Sequence, residues 1–455
     1  MSQERSGSRN VSKVTRRRFK RIERVLRRAQ LDEYIIVEHK QRRVEVGQRS
    51  LRTVHAADQR QLEVTLYRDL RRGRASASFI VTDVEDINAI DTLVAAAAAR
   101  ASHGLGPEWR LPAPAAPARV DLADSAIVGD PEGVAMASME QLLRPQSQQT
   151  RPWKPTDVRV VARARETTVL TSTGFVRTKT ESFLELDAVL RAQAVAHQIH
   201  HRARRREDLN IEALLDTAAV RLRDRAAAKP VTAGRYDLAL ELDAIVGATG
   251  AEHTGPKRYA WFASFVAQAN AETQRRGLAR YSTGKSVYGS RTVRGDKLTL
   301  TSDGTLARGW YSSPFSNMGE AIRSFPLINK GVAAQPSLSL REAGLRKQLS
   351  NGGVRNLVVA PGRRPMAALL LPGKRPLLKV SELASLDMDP LTGEFSAQLA
   401  LGYLQAGSKS VPVTGGFIRG NLFDLFADVI MARETGFHTW YAGPRLLRFG
   451  NVAVH

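Results

Sequence analysis

Residues 387–422 read DMDPLTGEFSAQLALGYLQAGSKSVPVTGGFIRGNL. Phe395 and Leu399 stand an even number of residues apart, as one face of a strand requires. The run 395–404 is therefore predicted as a strand. Gly402 and Gly407 are predicted bulge or turn glycines that bracket a second short strand. A further strand is predicted over 411–418, where Gly415-Gly416 permits a sharp turn or a close backbone approach. Asn421 is suited to cap a helix over 421–433, with Leu422, Leu425, Phe426 and Val429 on one stripe. All of these features are structural, and none supplies a reacting group.

Outward from this segment, strand signals fall at 357–360 and 236–242. In the first half, alternation marks strands at 34–37, 43–46, 62–67, 75–81 and 158–170. Helices are predicted from a Thr82 or Asp83 cap to Arg100, and over 130–143, 184–206 and 211–227. Residues 111–120, LPAPAAPARV, read as an extended linker. Strands and helices do not alternate strictly, so the predicted class is α+β. Within it we expect an N-terminal α/β-type domain with a mixed sheet and helices, over residues 31–228 with a linker near 108–120. A largely antiparallel β domain with flanking helices follows over 229–455.

The chain has 455 residues, of which 43% are hydrophobic and 25% charged. That length and composition allow a large buried core and exclude wholesale disorder. There is no cysteine, which excludes disulfides, thiolate zinc sites, iron–sulfur clusters and a Cys nucleophile. No run approaches a membrane span, and the N-terminus lacks the apolar stretch of a signal peptide. The expected location is the cytoplasm.

The net charge is +23, from 68 Lys and Arg against 45 Asp and Glu. Residues 1–30 hold 11 Lys or Arg and two Glu, 11 − 2 = +9 of that excess. This basic arm opens as a polar stretch expected to be disordered. It becomes helix-like over 14–29, with Phe19, Ile22 and Leu26 on one face. Two readings stand, an arm for phosphate or an acidic partner, and a first helix that docks on the domain.

Read in order, several segments resemble the TldD/PmbA family. In 387–422 the resemblance rests on Asp387, Gly393, Phe395, Ser396, Gly402, Gly407, Pro412, Val413, Gly420, Asn421 and Leu422. Upstream it rests on NLVVAPG at 356–362, TLTSDGTLARGWYSSPFSNMG at 299–319, and Lys229-Pro230 with Gly234-Arg235-Tyr236. Family members come in pairs. TldD-like subunits carry HExxxH on a helix, and PmbA-like (TldE-like) subunits do not. The motif's imidazoles ligate zinc, and its carboxylate takes a proton from the bound water. In TldD-like subunits an Arg-Arg-Gly follows closely, and here Arg275-Arg276-Gly277 stands in a comparable place. Counting back puts Phe262, Ala263 and Ala267 where His, Glu and His would be. The Cys that also ligates the metal has no counterpart.

The resemblance thus implies a non-catalytic, metal-free subunit. It implies a heterodimer with a TldD-like metallopeptidase carrying the zinc, or a homodimer if there is no such partner. The implied substrates are unfolded peptides such as leader peptides. Glu272, Arg275 and Arg276 are candidate chamber or inter-subunit residues.

His197-Gln198-Ile199-His200-His201 mimics a metal motif, with His197 and His201 at i, i+4 of the predicted helix. Gln198 cannot act as a base, and the arginines at 202 and 204–206 repel a cation. A self-sufficient hydrolase would use these two histidines. A nucleic-acid-binding or scaffold protein on the same fold is the main alternative, with the basic arm as its contact. No P-loop or G-x-S-x-G is present; Gly284-Lys285-Ser286 lacks the earlier glycine at the right spacing.

Overall fold

A computed structural model of the chain describes residues 13–29, 31–49, 51–71, 73–82, 89–103, 106–147, 152–247, 255–406 and 409–455. The Asp83 alternative for a helix cap, the polar stretch Ser2–Ser12 and Gly407 lie outside these residues.

Six long strands form the first sheet: β1 (Glu33–Gln48), β2 (Arg52–Leu70), β3 (Gly73–Val81), β4 (Lys154–Thr171), β5 (Val176–Ala192) and β6 (Val195–Ala203). Their order is β3-β2-β1-β4-β5-β6, antiparallel throughout. One face is covered by helices. At one end lie α1 (Lys13–Arg28) and α2 (Ile90–Arg100), packed on Ile36, Leu62, Val64 and Leu66. At the other lie α3 (Ser125–Gly129), α4 (Pro131–Ser147) and α5 (Ile211–Ala227), packed on Val158, Val160, Leu184, Leu186 and Leu190.

The segment 184–206 is not a helix. It is the end of β5, a turn with Gln193 at φ 52°, and β6. Its Ala, Gln, Arg and Leu content favours helix locally. The alternation Leu184, Leu186, Ala188, Leu190 fits a strand beside β4, and that pairing decides. The apolar face of α1 is docked: Phe19, Ile22 and Leu26 are buried. Thr15 donates to the buried Glu38 carboxylate at 2.8 Å, which also pairs with Arg60, Arg18 and Lys40.

The second half holds two sheets and one large aromatic core. Strands β7 (Lys229–Pro230), β8 (Gly234–Glu241), β9 (Leu300–Asp303), β10 (Ser324–Asn329), β11 (Val332–Ala333) and β12 (Asn356–Val359) come first. They are followed by β13 (Leu377–Met388), β14 (Glu394–Ala406), β15 (Lys409–Thr414), β16 (Phe417–Asn421), β17 (Ile430–Met431), β18 (Thr435–His438), β19 (Tyr441–Pro444) and β20 (Leu446–Val454). One sheet runs β11-β10-β9-β12-β19-β18. In the other, the path β13-β8-β20-β16-β14 returns to its start because β14 also pairs with β13. These five strands close on themselves, and Trp261, Phe262, Phe265, Phe423, Phe426 and Phe449 lie in the core beside them. The α+β class holds, but the first half's sheet, expected to be mixed, is antiparallel throughout, and the parallel pairs lie in this half (β8–β13, β12–β19 and β7–β15).

Two expectations in 387–433 are corrected. The predicted strand 411–418 is two strands, because Gly415 and Gly416 sit at φ 74° and 73° and reverse the chain. The predicted helix 421–433 ends at Ala427, since Ile430 and Met431 leave to pair with β20. Asn421 does cap it, its Oδ1 accepting from the Phe423 amide at 3.0 Å. In the same way 394–406 is one strand, with Gly402 inside it.

Candidate functional site: a cleft at the edge of the first sheet

Between β6 and the second half of the chain lies a cleft of about 570 Å³. Six consecutive residues of β6, His197 to Arg202, line it. Successive strand residues point to opposite faces, so a wall made of all six presents the strand's edge. Among the described residues strand β6 ends its sheet and pairs only with β5. The facing wall is built from Lys257, Arg258, Ala260, Trp310, Tyr311 and His438, with Leu386 and Met388 as apolar floor. Arg221 of α5 and Asp243 close one side, Asp243 on the short helix α6 (Leu242–Val246). Ala260 holds the turn into this wall at φ 45°, ψ −124°.

The structure changes the reading of the two histidines. On a strand, positions i and i+4 are about 13 Å apart at ~3.3 Å per residue, so His197 and His201 cannot share one metal ion. They sit on the same face but in separate surroundings. His197 is buried with its Nδ1 3.4 Å from Glu382 Oε1, and Glu382 is taken by Arg221 at 2.9 Å and Arg225 at 2.6 Å. His201 lies edge-on to His438, ring centroids 6.0 Å apart, and its Nε2 is 3.2 Å from the Asp208 carbonyl. Burial pushes the pKa of both His197 and His201 down to about 4. His438 is lowered as well, again by burial. Burial opposes ionisation of Asp243, but Arg221 and His438 outweigh it and hold the carboxyl below its usual range. Its partner is Arg221 Nη2 at 2.5 Å. The carboxylates here are committed to arginines, and His197, His201 and His438 are neutral at pH 7. Among the described residues no group of three or more His, Asp or Glu side chains converges on a metal position.

A consequence is acid sensitivity. The unfolded chain protonates its histidines near pH 6.5, and the folded chain holds His197 neutral to about pH 4. Stability is therefore full above pH 6.5 and falls below it. For His197 the loss is about 2 kcal/mol between pH 7.5 and pH 5. Urea midpoints measured at both pH values should differ accordingly, and less in His197→Gln.

The positions matched to the missing metal motif are placed as follows. Phe262 is fully buried, stacked on Tyr441 at 5.7 Å and edge-on to Phe426 at 5.6 Å. Ala263 starts the short helix α7 (Ala263–Gln268) and lines the cleft. Ala267 is buried. None carries a side-chain N, O or S, so these positions do not fit a zinc ion or a general base.

Glu272, Arg275 and Arg276 are on a separate helix, α8 (Ala271–Arg275), and just after it, because Asn270 breaks the chain and caps α8. They do not line the cleft. Arg275 pairs with the buried Glu342 at 3.0 Å and Arg276 with Glu272 at 2.6 Å. The cleft brings in Asp243, Arg221, Arg258, Trp310, Tyr311 and His438, which no spacing in the sequence links to β6.

The comparisons agree with this architecture. Residues 261–455 match the model of the PmbA/TldA metallopeptidase C-terminal domain. Metalloprotease PmbA of Escherichia coli O157:H7 is 28% identical over 138 residues, 30% of each chain. An uncharacterised protein of Methanocaldococcus jannaschii is 26% identical over 149 residues, 30% of this chain and 35% of its own. The matched stretch thus spans about a third of these curated relatives. The crystal structure of TldE from Thermococcus kodakarensis shares the fold with a TM-score of 0.75 at 16% identity, covering 95% of this chain and 99% of that one. A Bacteroides thetaiotaomicron structure gives 0.76 at 15% identity, covering 98% and 99%. Residues 261–455 thus match the C-terminal domain of the PmbA/TldA metallopeptidases, and almost the whole chain has the fold of TldE.

Proposed function

We propose that the chain is the metal-free, PmbA/TldE-like subunit of a cytoplasmic TldD-type metallopeptidase complex that processes unfolded peptides. Zinc and the catalytic base belong to the partner subunit in this reading. The observation that carries it is the apolar trio Phe262, Ala263 and Ala267, where a metal motif would supply two imidazoles and a carboxylate. The chain keeps a cleft, and among the described residues no hydrolytic set lies within it. Its own part is to hold the substrate. The free edge of β6 offers backbone donors and acceptors to an extended peptide, which pairs as an added strand whatever its sequence. Folded proteins lack such a free segment and are excluded.

Native mass spectrometry with metal analysis, on protein purified gently from its host, tests this. A stoichiometric second subunit carrying zinc is the expected result. A homo-oligomer with neither metal nor peptidase would overturn it.

A second reading, a nucleic-acid-binding or scaffold protein on the same fold, draws on the solvent face of α1. Arg16, Arg17, Lys20, Arg24 and Arg28 are exposed there. It predicts co-purifying nucleic acid that is released steeply by salt.

Among the described residues no helix is long and apolar enough to cross a membrane.

A further inference from the structure

The first sheet has a second face, opposite the helices. Val158, Val160 and Ala162 of β4 and Leu184, Leu186 and Leu190 of β5 go to the helical side. The residues between them therefore point the other way. That face carries a lattice of charge. Glu45 lies between Arg43 and Arg159. Asp187 is shared by Arg159 and His200. Glu185 is shared by Arg163 and Arg202, and Glu181 by Arg165, Lys179 and Arg204. Four carboxylates thus face seven Lys and Arg side chains, so cations are in excess. Phe183 lies beneath this layer, under the guanidinium groups of Arg163 at 4.3 Å and Arg165 at 5.0 Å.

The layer is open to solvent: the side chains of Arg43, Arg159, Arg163 and Arg165 keep 35, 40, 24 and 31% of their surface. It is continuous with the cleft, since His200 and Arg202 belong to both. Across the cleft, Arg258 lies over Tyr311 at 4.4 Å, and among the described residues it has no carboxylate within 4 Å.

We propose that this cationic sheet face selects acidic, extended peptides and delivers them to the cleft. The proposal rests on reading the chain as a peptide-handling subunit and names the substrate class. A polypeptide fits better than a nucleic acid for two reasons. The interspersed carboxylates repel a continuous row of phosphates but leave room for spaced Asp and Glu side chains. The edge of β6 can pair only with a polypeptide backbone. The excess positive charge also steers an acidic chain before contact.

The test is fluorescence anisotropy on the full chain with fluorescein-labelled 12-residue peptides. One alternates Glu with Gly and Ser, one alternates Lys, and one is uncharged. The acidic probe should bind at least ten-fold more tightly than the uncharged one. Arg43→Gln/Arg163→Gln should weaken it at least five-fold. Arg258→Gln, which leaves no carboxylate unpaired, should do so too and covers the case in which the double variant fails to fold. Arg16→Gln/Lys20→Gln/Arg24→Gln on α1 should leave it within two-fold. Equal affinity for acidic and uncharged probes would overturn the proposal. So would loss of binding only in the α1 variant, or tighter binding of a 12-nucleotide single strand that depends on Arg43 and Arg163. The assay needs no partner. An acidic preference without a co-purified peptidase would therefore sink the complex and leave this inference standing. A zinc-bearing partner without acidic preference would do the reverse.

Discussion

Arg204→Met should destabilise the folded chain by about 3–5 kcal/mol, the usual cost of removing one partner of a buried ion pair. Arg204 follows β6, and its side chain is 2% exposed. Its Nε donates to the Gly309 carbonyl at 2.8 Å, and its Nη2 to the carbonyls of Trp310 at 2.7 Å and Ser312 at 3.2 Å. The same guanidinium lies 3.5 Å from Glu181 and over the ring of Phe183. Burial lowers its pKa to about 10, still far enough above neutrality to keep the charge. One side chain thus satisfies three backbone carbonyls of the second half from the edge of the first sheet. Removal takes the donor from the Trp310 and Ser312 carbonyls, while the Gly309 carbonyl keeps the Ser312 amide at 3.1 Å, and each buried unsatisfied group costs about 1–3 kcal/mol. Methionine keeps much of the packing on Phe183, so the variant isolates the polar loss. Urea denaturation measures the change. A cost below 1 kcal/mol would show that water replaces the guanidinium and that the junction does not depend on it.

Rebuilding the metal motif should fail, and should harm the fold. In Phe262→His/Ala263→Glu/Ala267→His, only position 263 faces the cleft; positions 262 and 267 are buried. An imidazole at 262 would lose the stacking on Tyr441 and the contact with Phe426 and would place polar nitrogens among hydrocarbons without partners. Phe262→Ala alone should cost about 3–5 kcal/mol, the range for emptying a buried phenylalanine site. The triple variant should be at least as unstable and should hold no stoichiometric zinc by plasma mass spectrometry after dialysis. Zinc at one equivalent per chain, with stability retained, would mean that these positions can turn toward the cleft. The lack of metal ligands here would then rest on residue identity alone rather than on packing.

The sequence was most legible where periodicity and special backbone geometry agreed. Asn421 as a cap, the Gly415-Gly416 reversal and the docking face of α1 all rest on local chemistry that the neighbours did not override. It was least legible over 184–206. There alanine, arginine and glutamine favour a helix, and the competing alternation is set by pairing with a strand some twenty residues earlier. That one misreading also misplaced the histidines, since a helical i, i+4 pair is a single cluster and a stranded one is two distant sites. The cleft was legible only in part. The apolar occupants of 262, 263 and 267 follow from the anchor Arg275-Arg276-Gly277. The meeting of His201 with His438 and of Arg221 with Asp243 depends on contacts between distant segments, which no local spacing records.

The closed ring of strands has a consequence for the timing of synthesis. Strand β20 is inserted between β8 and β16, and Arg448 on it reaches Asp237 on β8 at 2.9 Å across a sequence separation of 211 residues. The ring cannot close until residue 454 has left the ribosome. Until then β8 has no antiparallel neighbour, and the aromatic residues around Trp261 lack the strand that seals them. The first sheet draws its strands from residues 33–203 and can pair well before that. A nascent chain therefore carries a folded front half and an open, sticky rear half for the whole time its second half is being translated. Pairing across so long a loop is also slow. A stall or early stop before residue 446 should therefore yield an aggregation-prone chain rather than a folded fragment.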